Sequence, residues 1–227
     1  MNRRRILVYG AGGHGQVVAD ILISQSNDEF EGFVDDREEL WGRKVLGFPV
    51  HGGGEWLRQQ AAQLRIAAAL GIGSAASRQL ILERCARWGT EVVTVVHASA
   101  AISKFAQVGQ GTVVTAHAVI NAGAKINAGA IVNSSAVVEH DVEVGNFAHV
   151  APNATMGGAS RLGAFAHLGL GAVVLQSVCV GAHTVIGAGA VVTRDLPDRV
   201  VAIGVPARIY RRIEQSDLSF ATAICTE

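Results

Sequence analysis

The triplet Glu139, His140 and Asp141 sets an imidazole between two carboxylates. A carboxylate beside a histidine can fix the ring tautomer and strengthen it as a base, which proton abstraction near neutral pH requires. A histidine in a solvated corner has the same local sequence, so the triplet alone leaves a general base and a surface residue both open. His149 and His167 are separated by three units of the six-residue period in this half of the chain, one full coil of a three-sided solenoid. They would stack, and stacked imidazoles would suit a metal. Zinc, however, needs a third ligand and groups that orient the first shell. The next histidine, His183, misses the matching position of the following coil, Val185, and so is out of step. No metal is expected, and no Ser or Cys sits in a recognisable nucleophile motif.

A second constellation lies near the N terminus. The apolar run 4–9 leads into Gly10-Ala11-Gly12-Gly13-His14-Gly15, followed by a helix-like run from Gln16 to Ser24. This is G-x-G-x-x-G in a strand-to-helix setting, where glycines admit a pyrophosphate and the helix N terminus faces its charge. A strand at 31–34 ends in Asp35-Asp36, about 20 residues on, where an acid would accept a ribose hydroxyl. The alternative is a plain βα turn, with Asp36 opening a turn at Arg37. A further strand, 66–70, ends in Gly71-Ile72-Gly73-Ser74, a loop at the strand end where open α/β sheets bind ligands. A helix over 75–88 and a strand over 92–96 complete a unit that ends near residue 96, which suits half a Rossmann fold better than a whole one.

The elements that must position the His140 triplet are set by a period. From Ile102 to Val192 every sixth residue is apolar, sixteen in sixteen, and the residue two before each is small, mostly Ala. Six is neither the helical 3.6 nor the strict alternation of an open sheet. It suits short strands joined by corners in a solenoid, with three units per turn. The aliphatic residue then fills the interior and the small one fits a corner. Glycine often follows the aliphatic residue, at 109, 145, 157, 163, 169, 181 and 187; corner backbone conformations that cost other residues more are the expected reason. The period ends at Arg194. A turn at 195–198, a strand at 200–203, the basic Arg208, Arg211 and Arg212, and an unassigned stretch 214–227 follow.

Composition narrows the partners. Lys plus Arg and Asp plus Glu are 19 each, so no electrostatic pull toward nucleic acid or an anionic membrane is expected. No apolar run approaches the roughly 18–20 residues that span a bilayer. The basic start at Arg3-Arg4-Arg5 is followed by too short an apolar run for a signal peptide. Cys85, Cys179 and Cys225 are odd in number and widely spaced, which predicts neither a disulfide framework nor a zinc motif. The chain reads as a cytoplasmic protein.

Taken together, Tyr9-Gly10-Ala11-Gly12-Gly13-His14-Gly15, Val34-Asp35-Asp36, Gly71-Ile72-Gly73, Ile120-Asn121-Ala122, Asn133 to Asp141 and Gly204-Val205-Pro206-Ala207 resemble a known family. It is that of the hexapeptide-repeat sugar N-acetyltransferases acting on nucleotide-linked amino sugars, with the sialic-acid O-acetyltransferases as relatives. The resemblance covers residues 4–210. It implies an α/β half-Rossmann nucleotide-binding domain followed by a left-handed parallel β-helix, with domains at 1–96 and 97–195 and a C-terminal strand and tail at 196–227. His140 would be the base and Asp141, where some relatives carry Glu, its support. Asn133 would lie near the reacting centre, and His149 would contact the donor, acetyl-CoA. Leu170, Gly187, Ala188 and Gly189 would line the pantetheine groove. The basic Arg208, Arg211 and Arg212 would either meet coenzyme A phosphates or be solvated. Gly12, Gly13, His14, Asp35, Asp36 and Gly73 would hold the UDP-, GDP- or dTDP-linked 4-amino sugar.

The outward solenoid faces carry Val113, Val119, Ile131, Val137 and Val173, which call for covering. With the resemblance they predict a homotrimer whose sites lie between subunits. O-acetylation of a sialic acid, a zinc carbonic-anhydrase-like enzyme and a non-catalytic nucleotide-binding trimer are the alternatives.

Overall fold

The computed structural model describes residues 4–25, 28–64 and 66–214. The described residues form two compact units, one up to residue 73 together with 77–95, the other from residue 96 onward together with 74–76. The C-terminal residues 215–227, within the stretch left unassigned above, lie outside the described residues.

The N-terminal unit contains β1 (Arg5–Tyr9), α1 (Gly13–Gln25), β2 (Glu29–Val34), a short hairpin of β3 (Lys44–Val45) and β4 (Phe48–Pro49), α2 (Gly54–Leu64), β5 (Ile66–Leu70), α3 (Ala75–Trp88) and β6 (Val92–Val93). Its main sheet is parallel, in the order β2-β1-β5-β6. A parallel sheet covered on both faces needs strands apolar throughout, and Ile6 to Tyr9 and Ile66 to Leu70 are buried without a break. On one face Leu7, Tyr9, Val34 and Leu70 pack with Leu57 of α2 and Ile81 and Cys85 of α3. Helix α1 lies against β1, β2 and β5.

The chain steps from β1 to β2 on one side and reaches β5 on the other. The strand order therefore reverses between β1 and β5, which opens a crevice at their C-terminal ends. Both glycine loops, 10–13 and 71–74, sit there. Gly10 has φ +108°, and a Cβ on it would lie 2.6 Å from Ile72. Added Cβ atoms at Gly15 and Gly71 would run into Gly10 O and Val8. These three glycines close the strand ends onto α1, whereas Gly13 and Gly73 face open space. Helix α1 begins at Gly13 and not at Gln16 as the sequence suggested. The glycine and histidine of the motif form its first turn, with Gln16 N donating to Gly12 O at 3.0 Å.

The expected strand 92–96 is divided at Thr94. Val92–Val93 joins the N-terminal sheet, and Val95–Val96 is the first strand of the solenoid. From there the chain winds as a parallel β-helix with three faces. Face 1 contains the strands Val113–Val114, Ile131–Val132, His149–Val150, His167–Leu168 and Val185–Ile186; face 2 contains Val119–Ile120, Val137–Val138, Thr155–Met156 and Val173–Val174; face 3 contains Lys125–Ile126, Glu143–Val144 and Arg161–Leu162. Partners across each ladder are three repeat units apart, as in Val119↔Val137.

Period and packing have one cause. The aliphatic residue of each unit and the small residue two before it both enter a single core, which runs from Val114 and Ala118 to Ala190 and Val192. Each fully buried aliphatic side chain contributes roughly 1.5–3 kcal/mol, so a coil holds only when its neighbours cover it. At the first coil, which has a neighbour on one side only, Ile102 and Val108 are partly exposed.

The glycines that follow the aliphatic residues have a reason other than the one the sequence suggested. None of the seven has positive φ. Instead, a Cβ at Gly109 would lie 2.7 Å from Ala128 N, and one at Gly157 would lie 2.6 Å from Gln176 N, so they permit close approach of the next coil. The left-handed conformation falls two residues later, and there His117, Ser135, Asp141, Asn153, Ala159 and Ser177 adopt it at φ of 56–60°. The coil also continues past Arg194. Leu196 bridges to Val180, and Val200–Ile203 pairs in parallel with Val185–Ile186. Arg208–Arg212 then returns antiparallel on Val200–Ile203 as an exposed strand, and it is this strand that carries Arg208, Arg211 and Arg212.

Candidate active site

His140 and Asp141 form the corner between faces 2 and 3, and their side chains are 64% and 68% exposed. His140 Nδ1 lies 2.9 Å from Asp141 Oδ2. A carboxylate has no proton to donate, so Nδ1–H is the donor, which in the neutral ring leaves the lone pair on Nε2. Nε2 has no hydrogen-bond partner among the described residues. Asp141 reaches the ring from the next position in the chain because the corner gives it φ +60°. One coil below, Asn121 Nδ2 donates to Glu139 Oε2 at 3.0 Å, so the other carboxylate of the triplet is tied to the coil and away from the imidazole. Beside Asp141 opens a polar cavity of about 230 Å³ lined by Gly123, Lys125, Val142, Glu143 and Arg161.

A second polar cluster occupies face 1 and its edge with face 2. Asn133 Nδ2 donates to His149 Nε2 at 3.1 Å, and Asn133 Oδ1 accepts from Ser134 N at 2.8 Å and from Thr115 Oγ1 at 3.3 Å. His149 meets the edge of His167 at 4.8 Å between ring centres, as their spacing of one coil requires. Among the described residues no group of three His, Cys, Asp or Glu side chains is arranged to hold a metal ion. Leu170, Gly187, Ala188 and Gly189 stack on the same edge in later coils, and Leu170 is 58% exposed. Apart from His149 on face 1, the solenoid site residues singled out from the sequence thus fall on two edges of the rod, with face 2 between them. Asn133, Leu170 and Gly187 to Gly189 lie on one edge, His140 and Asp141 on the other.

In the N-terminal unit Asp35 and Asp36, expected together as acids facing a ligand, have different surroundings. Asp35 is buried and accepts from Ala11 N, Arg37 N and the Arg37 guanidinium at 2.8–3.0 Å. Burial opposes its charge, but these donors outweigh it and hold the carboxyl below the usual range. It braces the glycine loop. Asp36 is more exposed; its Oδ1 accepts from Tyr9 OH at 2.8 Å and from Gly54 N, the start of α2, at 2.9 Å, and its Oδ2 meets Arg84 at 3.1 Å. Arg78, which no motif marks in the sequence, is wholly buried, and its Nη1 donates to the carbonyls of Ile72 and Gly73. A charged residue inside a helix carries no sequence mark of burial.

His14 stands in the first turn of α1, with Nε2 enclosed and unpartnered among the described residues. Burial, helped by the Arg78 charge, pushes its pKa down from 6.5 to about 4. Between those values the unfolded chain binds a proton that the folded chain does not, so stability falls as pH is lowered through this window. All three tryptophans, Trp41, Trp56 and Trp88, lie in this unit and report its unfolding by fluorescence. The urea midpoint is expected to drop between pH 7 and pH 5, and less so in His14→Gln. An equal drop in both proteins would remove His14 as the cause.

A parallel α/β unit with glycine loops at its switch point, joined to a six-residue-period β-helix with a His–Asp corner, defines a class: two-unit hexapeptide-repeat acyltransferases. The family described as PglD N-terminal domain matches residues 5–85. A perosamine N-acetyltransferase from Caulobacter crescentus, solved as a histidine-to-asparagine variant with CoA and GDP-perosamine, is 37% identical. It superposes with a TM-score of 0.86 over 91% of this chain and 96% of that one. The acetyltransferase domain of PglB from Neisseria gonorrhoeae, in complex with acetyl coenzyme A, is 36% identical, with a TM-score of 0.86 over 92% and 100% of the two chains. The UDP-N-acetylbacillosamine N-acetyltransferase of Bacillus subtilis is 34% identical over 119 residues, a match that spans about half its length (51%). The chain belongs to the hexapeptide-repeat sugar N-acetyltransferase family.

Proposed function

We propose that the protein transfers an acetyl group from acetyl-CoA to the amino group of a nucleotide-linked 4-amino sugar, with His140 as general base. The observation that carries this reading is the exposed His140–Asp141 corner, whose Nε2 lone pair is free to take a proton. Two of the similar structures hold CoA with GDP-perosamine, in histidine-to-asparagine and histidine-to-alanine variants. The amine nitrogen attacks the thioester carbonyl carbon while Nε2 accepts its proton. The tetrahedral intermediate then collapses, the C–S bond breaks and CoA leaves as thiolate. Asp141 holds Nδ1–H throughout. The N-terminal unit recognises the nucleotide through Gly12, Gly13, His14 and Gly73, with Asp36 as the acid nearest solvent, and Asn133 and His149 serve the reacting groups.

The site is completed by a second copy. His140 lies on one edge of the rod and the donor residues Leu170, Gly187, Ala188 and Gly189 on another, so the pair from one subunit and the donor groove from the next would make one centre in a closed trimer. Mixing inactive His140→Ala chains with chains blocked at the groove by Ala188→Trp should restore roughly a quarter of the sites in randomly formed trimers. Activity that stays absent in verified mixed trimers would place both functions in one subunit.

The direct test is release of free thiol from acetyl-CoA against UDP-, GDP- and dTDP-linked 4-amino sugars, with CMP-sialic acid and free sialic acid as hydroxyl acceptors. Turnover with an amino sugar is the expected result. Turnover with a sialic acid alone would overturn N-acetylation, and silence across the whole panel would overturn the reading.

A further inference from the structure

The coils carry an internal control on the residues around His140. In the solenoid the position His140 occupies recurs once in every repeat unit, and from 104 to 188 it holds Lys104, Gln110, Ala116, Ala122, Ala128, Ser134, His140, Asn146, Pro152, Gly158, Ala164, Leu170, Gln176, Ala182 and Ala188. A side chain is accommodated at each of them except one. Gly158 has no positive φ that would call for glycine. It lies one full coil above His140. There a Cβ would lie 2.5 Å from His140 Nε2, 2.7 Å from Cε1 and 3.2 Å from Cδ2, and no other residue is among its nearest contacts. The glycine is thus explained by the imidazole, not by its own backbone.

Asp141 has a counterpart one coil below. A Cβ at Gly123 would fall onto Asp141 Oδ1, with Asp141 Cγ at 3.3 Å. Gly123 does have positive φ, +77°, but Asp141, Ala159 and Ser177 adopt 56–60° on the same edge with side chains attached. Backbone conformation therefore leaves the choice of residue at 123 open, and the room taken by Asp141 decides it. At Gly171, φ +62°, an added Cβ would meet nothing within 4 Å, so not every glycine in a corner is a notch.

We infer that Gly158 and Gly123 are positioning residues: two notches, in the coils above and below, that seat the His140 ring and the Asp141 carboxylate so that Nδ1–H meets the acid and Nε2 stays open. Neither need touch substrate for this role. A methyl group at 158 drives the ring off its seat from the Nε2 side, whereas a methyl at 123 pushes the carboxylate away from Nδ1. A misplacement of about 1 Å in a reacting group can cost about 10² in rate.

The catalytic part of the inference rests on His140 being the base; the structural part does not, and the experiment separates them. With ¹⁵N-labelled imidazoles, His140 in the wild type should show one dominant tautomer with the proton on Nδ1. Gly123→Ala should mix the tautomers, Gly158→Ala should shift the ring resonances, and Gly171→Ala should leave both unchanged. Unaltered His140 resonances in Gly123→Ala and Gly158→Ala would overturn the notches whether or not any acceptor turns over. In turnover, Gly158→Ala and Gly123→Ala should lower kcat by about 10–100-fold with the KM for acetyl-CoA nearly unchanged. In a His140→Ala background Gly158→Ala should add nothing, because the group it displaces is gone. A further loss of similar size in that background would show that Gly158 acts by another route and overturn its role through His140.

Discussion

Replacing His140 with alanine is expected to lower kcat by roughly 10²–10⁴ while assembly and acetyl-CoA binding are retained. The magnitude follows from what the side chain can do in this position. It is 64% exposed, so its removal should cost little stability. It is also the titratable ring whose Nε2 stands free at the corner, so proton removal from the amine would have to pass to water. Asp141→Asn should cost less, because the ring remains and an amide oxygen can still accept from Nδ1–H. The measurement is steady-state kinetics of both variants beside the wild type, with donor affinity by calorimetry. A His140→Ala enzyme with wild-type kcat would exclude His140 as the base, and one that no longer assembles would assign it to the scaffold.

The second large effect is expected at Arg78. Its guanidinium is fully buried and donates to the carbonyls of Ile72 and Gly73, the loop on the β5 side of the crevice. Burial pushes its pKa down, a sign of how costly the charge is there. Arg78→Ala removes the donors, strands two carbonyls and leaves a cavity, and together these should destabilise the N-terminal unit by about 3–5 kcal/mol. Arg78→Met fills the space and discards the buried charge, so its stability cost should be much smaller. The loop carbonyls still lose their anchor, and the KM for the acceptor should rise more than the KM for acetyl-CoA. Tryptophan fluorescence in urea gives the stability. Equal destabilisation by Ala and Met would mean that hydrogen bonds, not packing, dominate at this site; no effect from either would leave the buried guanidinium without a structural role.

The sequence made the solenoid legible because its core has a single rule. One large and one small inward residue recur every six positions, so Ile102 to Val192 could be assigned without knowing which coil touches which. The His140–Asp141 contact was legible because the two residues are adjacent, and the His149–His167 contact because three repeat units make one coil. What stayed hidden depends on contacts without a period. The hairpin Lys44–Val45 and Phe48–Pro49 and the helix Gly54–Leu64 fill the span between Asp36 and Ile66, where such short strands leave too little pattern to read. Asp35 and Asp36 look alike as neighbours, and only the fold turns one toward Ala11 N and the other toward Tyr9 and Gly54. Gly158 was within reach, since it alone breaks a row otherwise filled by side chains. The signal appears once the chain is written with one coil to a row.

The strand Arg208–Arg212 has a consequence for how these molecules behave in a crowd. A rod of parallel coils that simply stopped would offer its last ladder to the first ladder of another rod, which is how filaments grow. Here the final ladder on face 1 is taken by a strand running the opposite way, whose five residues, three of them arginines, are all exposed. An incoming parallel coil meets the wrong strand direction there. On this face, the repeat that makes the scaffold easy to extend within one chain therefore ends against a strand that a further parallel coil cannot continue in the same direction.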